Sequence, residues 1–102
     1  MHDLLAKVPE EGSVMTQNNL AVFFAHRDIY IFNLYDNILQ KLPDIVILDA
    51  RPGQNPNNLW PSNQQKVDLA IQKMHNVSNY KILYNDDYRY IFVKKEGRAD
   101  SQ

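Results

Sequence analysis

The segment Asp44-Ile45-Val46-Ile47-Leu48-Asp49 is the strongest indication of the fold in this sequence. Four consecutive aliphatic residues between two aspartates predict a strand that is buried on both faces. Such strands are typical of the centre of a parallel or mixed sheet that helices cover on both sides. Asp49 stands at the carboxyl end of this strand, where open α/β sheets bind their ligands.

The segments on either side alternate between strand and helix patterns. In chain order the sequence predicts a strand at 13–16, a helix at 20–25, a strand at 29–32, a short helix at 33–42, the strand at 44–49, a helix from 62, and strands at 80–84 and 88–94. We therefore expect a small α/β layered domain. Its sheet is mixed and mostly parallel, with about five strands, with helices packed on it and with a C-terminal antiparallel hairpin.

Two local patterns refine this expectation. Ser62-Asn63-Gln64-Gln65 fits a capping box, in which the Gln65 side chain reaches back to the Ser62 amide. The apolar face of the helix that follows consists of Val67, Ala70, Ile71 and Met74.

In the hairpin, strict alternation places on one face Tyr80, Ile82 and Tyr84. Such an aromatic face can bind a sugar or stack bases, and cross-strand packing explains it as well.

Composition bounds the class of protein. The 102 residues include 11 basic and 12 acidic side chains, so the formal net charge is −1 and we expect no nucleic-acid partner. We expect one soluble domain at residues 1–95 and a flexible polar tail at 96–102. The absence of cysteine excludes disulfide scaffolds, thiolate metal sites and cysteine nucleophiles. No apolar run approaches the ~20 residues of a membrane-spanning helix.

The motifs of the common enzyme classes are missing from the sequence. The three glycines, Gly12, Gly53 and Gly97, form neither a phosphate-binding loop nor a dinucleotide fingerprint. The three histidines are far apart in sequence, so we expect no metal site. Because the sequence shows no phosphate-binding loop and no nucleophile–base pair, we also expect no cofactor and no catalytic residue. His26 and His75 each follow a predicted helix, where the helix dipole favours a basic group.

One position remains as a candidate for binding. Asp49 and Arg51 follow the central strand, and a carboxylate there could hold a sugar hydroxyl. The alternative is that Asp49 only ends the strand and accepts loop amides. A site at this edge of the sheet would combine Thr16–Asn19 and Asp49–Gly53 with Trp60, which either anchors the long loop 51–61 or contacts a partner.

Several segments resemble a family of predicted polytopic membrane proteins, domain of unknown function 2079. The segments that carry the resemblance are Leu5-Ala6-Lys7-Val8-Pro9, Gly12-Ser13-Val14, Gln17-Asn18-Asn19-Leu20 and His26-Arg27-Asp28-Ile29-Tyr30-Ile31-Phe32. Asp44–Asp49 is similar to a strand of that family, and Tyr90–Lys95 is similar to its closing strand. Phe23 and Phe24 depart from a more polar stretch at that point of the family.

The resemblance implies a specific role. Members of that family look like relatives of the membrane-embedded glycosyltransferases that take sugars from polyprenyl-phosphate donors. This chain would be a C-terminal extracytoplasmic domain of a bacterial membrane protein, without the catalytic centre. Its partners would be the membrane-embedded part of the same polypeptide and a carbohydrate or lipid-linked sugar. The residues that match the family pattern are Asn18, Asn19, His26, Arg27 and Asp49.

Two other functions stay open on the sequence. The chain could be a free-standing soluble binding module for a sugar or nucleotide-like ligand, which would use Asp49, Arg51 and the loop to Ser62. An autonomous small enzyme is disfavoured, because the sequence shows no nucleophile–base pair and no phosphate loop.

Overall fold

The structure is a computed structural model, and it describes residues 7–9, 11–24, 26–54, 62–76, 79–86 and 88–95. These residues form five strands: β1 (Val14–Thr16), β2 (Ile29–Ile31), β3 (Ile45–Asp49), β4 (Tyr80–Asp86) and β5 (Arg89–Lys94). The helices are α1 (Asn18–Ala21), a 3-10 turn (Val22–Phe24), α2 (Tyr35–Lys41) and α3 (Gln64–His75). The predicted order of strands and helices from residue 13 onward is confirmed. The tail at 96–102 lies outside the described residues.

The strands form a single mixed sheet in the order β2-β1-β3-β5-β4. β1 pairs in parallel with β2 and β3, whereas β5 pairs antiparallel with β3 and β4. The expectation of a mostly parallel sheet was therefore wrong, since parallel and antiparallel pairings are equal in number. The reason is the position of the hairpin. β5 lies between β3 and β4 and not at the edge of the sheet, so it is antiparallel to two neighbours.

β3 lies at the centre of this sheet, and all five of its residues are buried. Its side chains alternate between two apolar clusters on opposite faces. On one face Val46 and Leu48 pack with the buried face of α3, which is formed as predicted by Val67, Ala70, Ile71 and Met74. On the other face Ile45 and Ile47 pack with Leu20 of α1 and with Phe24. Burial on both faces explains the unbroken aliphatic run.

The start of α3 differs from the predicted capping box. Asn63 is the N-cap residue, and its side-chain oxygen accepts a hydrogen bond from the Lys66 backbone N–H at 2.9 Å. The Ser62 hydroxyl instead donates to the backbone oxygen of Asn33 at 2.6 Å. The prediction failed because Ser62 is engaged in a contact distant in sequence, while the neighbouring asparagine caps equally well.

The tyrosines of the hairpin do not share one face. The register of β4 against β5 shifts between Ile82 and Tyr84, so Leu83 is an additional residue, as in a β-bulge. As a result Tyr80 joins the cluster under α3, whereas Tyr84 packs on the opposite face. The Tyr80 hydroxyl donates to the backbone oxygen of Pro43 at 2.6 Å. Burial raises the pKa of Tyr80 to about 12.

We expect Ile47→Ala to lower the free energy of unfolding by about 2–5 kcal/mol, because Ile47 is fully buried in the central strand. Urea denaturation measures this loss. Ile31→Ala is the matched control: Ile31 is 40% exposed on the edge strand β2, and we expect a loss of less than about 1 kcal/mol. Equal losses for the two variants would contradict a central position of β3.

Candidate functional site

β1 and β3 are parallel neighbours, and the chain leaves their carboxyl ends in opposite directions; we call this position the crevice. After β1 the chain enters α1 and continues to β2 on one side. After β3 it enters α3 and continues to β4 on the other side, and α3 packs on the opposite face of the sheet from α1. This arrangement is a topological switch point, the position at which open α/β sheets bind ligands.

Asp49 and Arg51 form an ion pair at this crevice. The Asp49 side chain is fully buried, whereas that of Arg51 is 39% exposed. The Arg51 Nε atom donates to both carboxylate oxygens at 2.9 and 3.1 Å, and a terminal nitrogen donates to Oδ2 at 2.6 Å. Because an unpaired buried carboxylate would be strongly destabilising, Arg51 is the partner that the buried Asp49 side chain requires. Asp49 also accepts the Arg51 backbone N–H. This contact is the one expected if Asp49 ends the strand and accepts amides of the loop.

Gln17, the first residue after β1, completes the inner wall of the crevice. Its side chain is fully buried, and its Oε1 atom accepts the backbone N–H of Asp49. Its Nε2 donor has no hydrogen-bond partner among the described residues. On the sequence alone, Gln17 belongs to the stretches 16–19 and 17–20 and is not singled out as a candidate. The signal that could have singled it out is a polar residue directly after a buried strand, at the predicted binding edge.

Two further glutamines hold the backbone after β3 in place. Gln54 Nε2 donates to the backbone oxygens of Asp49 and Arg51 at 3.0 and 2.9 Å. Gln64 Nε2, in the first turn of α3, donates to the backbone oxygen of Ala50 at 2.9 Å. The backbone beside the ion pair is therefore held by side chains from three places: the residue after β1, the loop after β3, and α3. Such a pre-formed polar wall is what a binding site requires.

His26 and Arg27 lie at the opposite edge of the sheet, before β2. The Arg27 guanidinium donates to the backbone oxygen of Gly12 at 3.1 and 2.7 Å and to that of Pro9 at 2.7 Å. Arg27 therefore holds together the turn that precedes β1, and His26 is exposed beside it. The structure does not bring these two candidates together with Asp49, since they precede their strand and Asp49 ends one.

The remaining candidates are only partly described. The backbone of Asn18 and Asn19 opens α1, directly after Gln17 at the crevice, but their side chains lie outside the description. Trp60 and residues 55–61 also lie outside the described residues. In the part of the chain that is described, no three His, Asp or Glu side chains are grouped so that they could hold a metal ion.

The comparison with known families decides the family of the chain. A model of predicted membrane proteins, DUF2079, matches residues 1–88. The chain belongs to this family. The matched part of the DUF2079 chain contains β1 to β4 and the whole crevice; the similarity expected for Tyr90–Lys95 lies beyond it. No curated protein and no solved structure matches the chain. Within the described ranges, no helix has the length and apolarity needed to cross a bilayer.

At the amino edge of the sheet, Asp44 connects three segments. Its Oδ2 atom accepts the Ser13 backbone N–H at 2.9 Å, and its Oδ1 atom lies 3.4 Å from Lys94 Nζ. The Ser13 N–H, aided by the charge of Lys94, lowers the pKa of Asp44 below its ordinary value of 3.8, against a smaller opposing effect of burial. Gly12 has φ +108°, and a Cβ atom there would lie 2.9 Å from Asp44 Cβ, so this turn requires glycine.

This network predicts a pH dependence of stability. Because the pKa of Asp44 is lower in the folded chain, its stabilising contribution is complete above pH 3.8 and is lost as the pH falls through the folded-state pKa. Asp44→Ala should therefore lower the free energy of unfolding at about pH 6 more than at about pH 3. Urea denaturation of both proteins at the two pH values measures the difference.

Asp28→Ala is the matched control for this experiment, since it removes an exposed carboxylate at the same edge. We expect its effect to change less between the two pH values. An effect of Asp44→Ala that is constant with pH would contradict the stabilising role of the Asp44 carboxylate.

Proposed function

We propose that this chain is the extracytoplasmic, non-catalytic recognition domain of a polytopic bacterial membrane protein. Membership of the DUF2079 family supports an association with the membrane. The crevice between β1 and β3 supports recognition, because a buried carboxylate there holds a partly exposed guanidinium at the ligand-binding position of an α/β sheet. That pair is the observation that carries the proposal.

The ligand in this proposal is a carbohydrate, free or lipid-linked. The described side chains at the crevice are amides and one internally balanced ion pair, which suit hydroxyl groups that both donate and accept hydrogen bonds. The parent protein would be a glycosyltransferase of the membrane-embedded type, as the resemblance implies. Its reacting groups would then lie in the membrane part, and this domain would hold the sugar of a substrate near them.

Cysteine accessibility tests the extracytoplasmic placement. Because this chain has no cysteine, a Gln40→Cys substitution introduces one thiol on the exposed side of α2, and any cysteines in the rest of the full-length parent protein are replaced by serine. We expect a membrane-impermeant maleimide to label this thiol in intact cells. Val46→Cys is the control, since Val46 is fully buried and should be labelled only after denaturation. Labelling of Gln40→Cys only after lysis would contradict the placement.

An Asp49→Ala substitution tests the binding role of the ion pair. Without the carboxylate Arg51 is no longer held at the crevice, and we expect the affinity for neutral sugars to fall about tenfold or more. Calorimetric titration with a panel of monosaccharides measures the affinity, and urea denaturation should still show one cooperative transition. Asp36→Ala, at an exposed position in α2, is the control and should bind like the unmodified chain. Unchanged affinity of Asp49→Ala would exclude this site.

A further inference from the structure

We propose that the outer edge of β2 is a docking site for an extended segment of a partner protein, and that this segment carries an acidic side chain. β2 is the last strand on one side of the sheet, which has the order β2-β1-β3-β5-β4. Proteins bind extended segments by adding them as a further strand to such an edge. This surface is separate from the crevice and includes neither Asp49 nor Arg51.

The backbone of β2 offers hydrogen-bonding groups along its outer edge. The Phe32 N–H donates to the Thr16 oxygen of β1 at 2.8 Å, so the backbone groups of Phe32 face β1. Because neighbouring residues of a strand direct their backbone groups to opposite sides, those of Ile31 point away from β1, and the same holds for Ile29. No described strand pairs with these outward groups. They form a template on which a further strand can pair.

The other edge strand, β4, is protected against such pairing, whereas β2 is not. β4 contains the bulge at Leu83 and the charged residues Lys81 and Asp86, which hinder the addition of a strand. β2 consists of the uncharged sequence Ile29-Tyr30-Ile31, and its pairing with β1 is regular. Of the two edges, β2 is therefore the one that suits a partner strand.

A cavity beside this edge gives the side chains of a partner room. Its volume is about 420 Å³, within the range of about 300–1,000 Å³ that is typical of binding pockets. Its lining includes Ile29, Tyr30 and Ile31 of β2 together with Asn37 and Lys41 of α2. Ile31 is 40% exposed and offers an apolar contact next to these polar groups.

The charge at the cavity favours an acidic side chain. Lys41 Nζ lies over the Tyr30 ring, 5.5 Å from its centroid, and it forms no ion pair among the described residues. Asn37 lies one helical turn before Lys41. Its Oδ1 atom accepts the Leu34 N–H at 2.9 Å, so its NH₂ group remains to donate to a ligand. A carboxylate can accept from the ammonium and from the amide together.

The same charge disfavours a second copy of this chain as the occupant. Two copies that paired through β2 would each bring Lys41 to the shared edge. Like charges at close distance oppose such a pairing, whereas an acidic partner segment gains from the charge of Lys41.

NMR titration of the ¹⁵N-labelled 102-residue chain tests the docking site. The probes are two end-blocked pentapeptides, Thr-Val-Glu-Val-Thr and Thr-Val-Lys-Val-Thr, whose β-branched residues favour an extended conformation. We expect the glutamate peptide to shift the amide signals of Ile29 and Ile31 and to slow the hydrogen exchange of these amides. We expect the lysine peptide to bind about tenfold more weakly or worse.

A reversal of charge tests the role of Lys41. Lys41→Glu should reverse the preference, so that the lysine peptide binds about tenfold more tightly than the glutamate peptide. Lys81→Glu is the matched control, because it changes the net charge equally at an exposed position on the opposite edge strand. It should leave the preference for the glutamate peptide unchanged.

A proline substitution tests the backbone pairing. Ile31→Pro removes an N–H group that no described strand uses, so the sheet should remain folded. Binding of the glutamate peptide should fall about tenfold or more, whereas Ile31→Ala keeps the N–H group and should lose less than about threefold. If Ile31→Pro does not fold, the charge reversal and the amide exchange of the unmodified chain decide.

Several results would overturn the proposal. Equal binding of the two peptides would exclude the acidic ligand. Absence of binding, or shifts confined to residues outside β2 and α2, would exclude the docking site. A dimer in light scattering that Ile31→Pro dissociates would show that a second copy occupies the edge. None of these results bears on the crevice, which Asp49→Ala tests separately.

Discussion

The structure depends on the burial of β3 on both of its faces. Five residues in a row are removed from water, and their side chains alternate between two apolar clusters. Burial of both faces of β3 requires helices on opposite sides of the sheet. α1 lies on one side, and α2 and α3 lie on the other. Because β1 and β3 then continue to helices on different faces, the crevice at their carboxyl ends is a direct consequence of how the core is covered.

The chemistry of the crevice follows from the same burial. A strand that ends inside the protein places its last side chain, Asp49, away from water, and a charge at that position requires a partner. Arg51 provides it from two residues further along, and amides from three separate segments satisfy the backbone around it. The result is a rigid polar wall that is balanced in charge, with one amide donor, on Gln17, still unpaired among the described residues.

Features that depend on a single hydrogen bond or a single inserted residue could not be predicted from the sequence. Asn63 caps α3 because Ser62 is engaged by Asn33, and these two residues are 29 positions apart. The bulge at Leu83 moves Tyr84 to the other face of the sheet, although the local pattern is an even alternation. In both cases competing local solutions are similar in energy, so the tertiary contacts decide between them.

The order of the elements, the central position of β3, the buried face of α3 and the position of Asp49 could be predicted, because hydrophobic patterns over several neighbouring residues indicate them. The pairing of β5 with β3 and the separation of His26 and Arg27 from Asp49 became visible in the folded chain alone. The tertiary structure also placed the Gln17 amide on the Asp49 backbone. These three features depend on which strands pair and on which ends of the strands meet. Such pairings form between residues far apart in the chain, and local periodicity does not predict them.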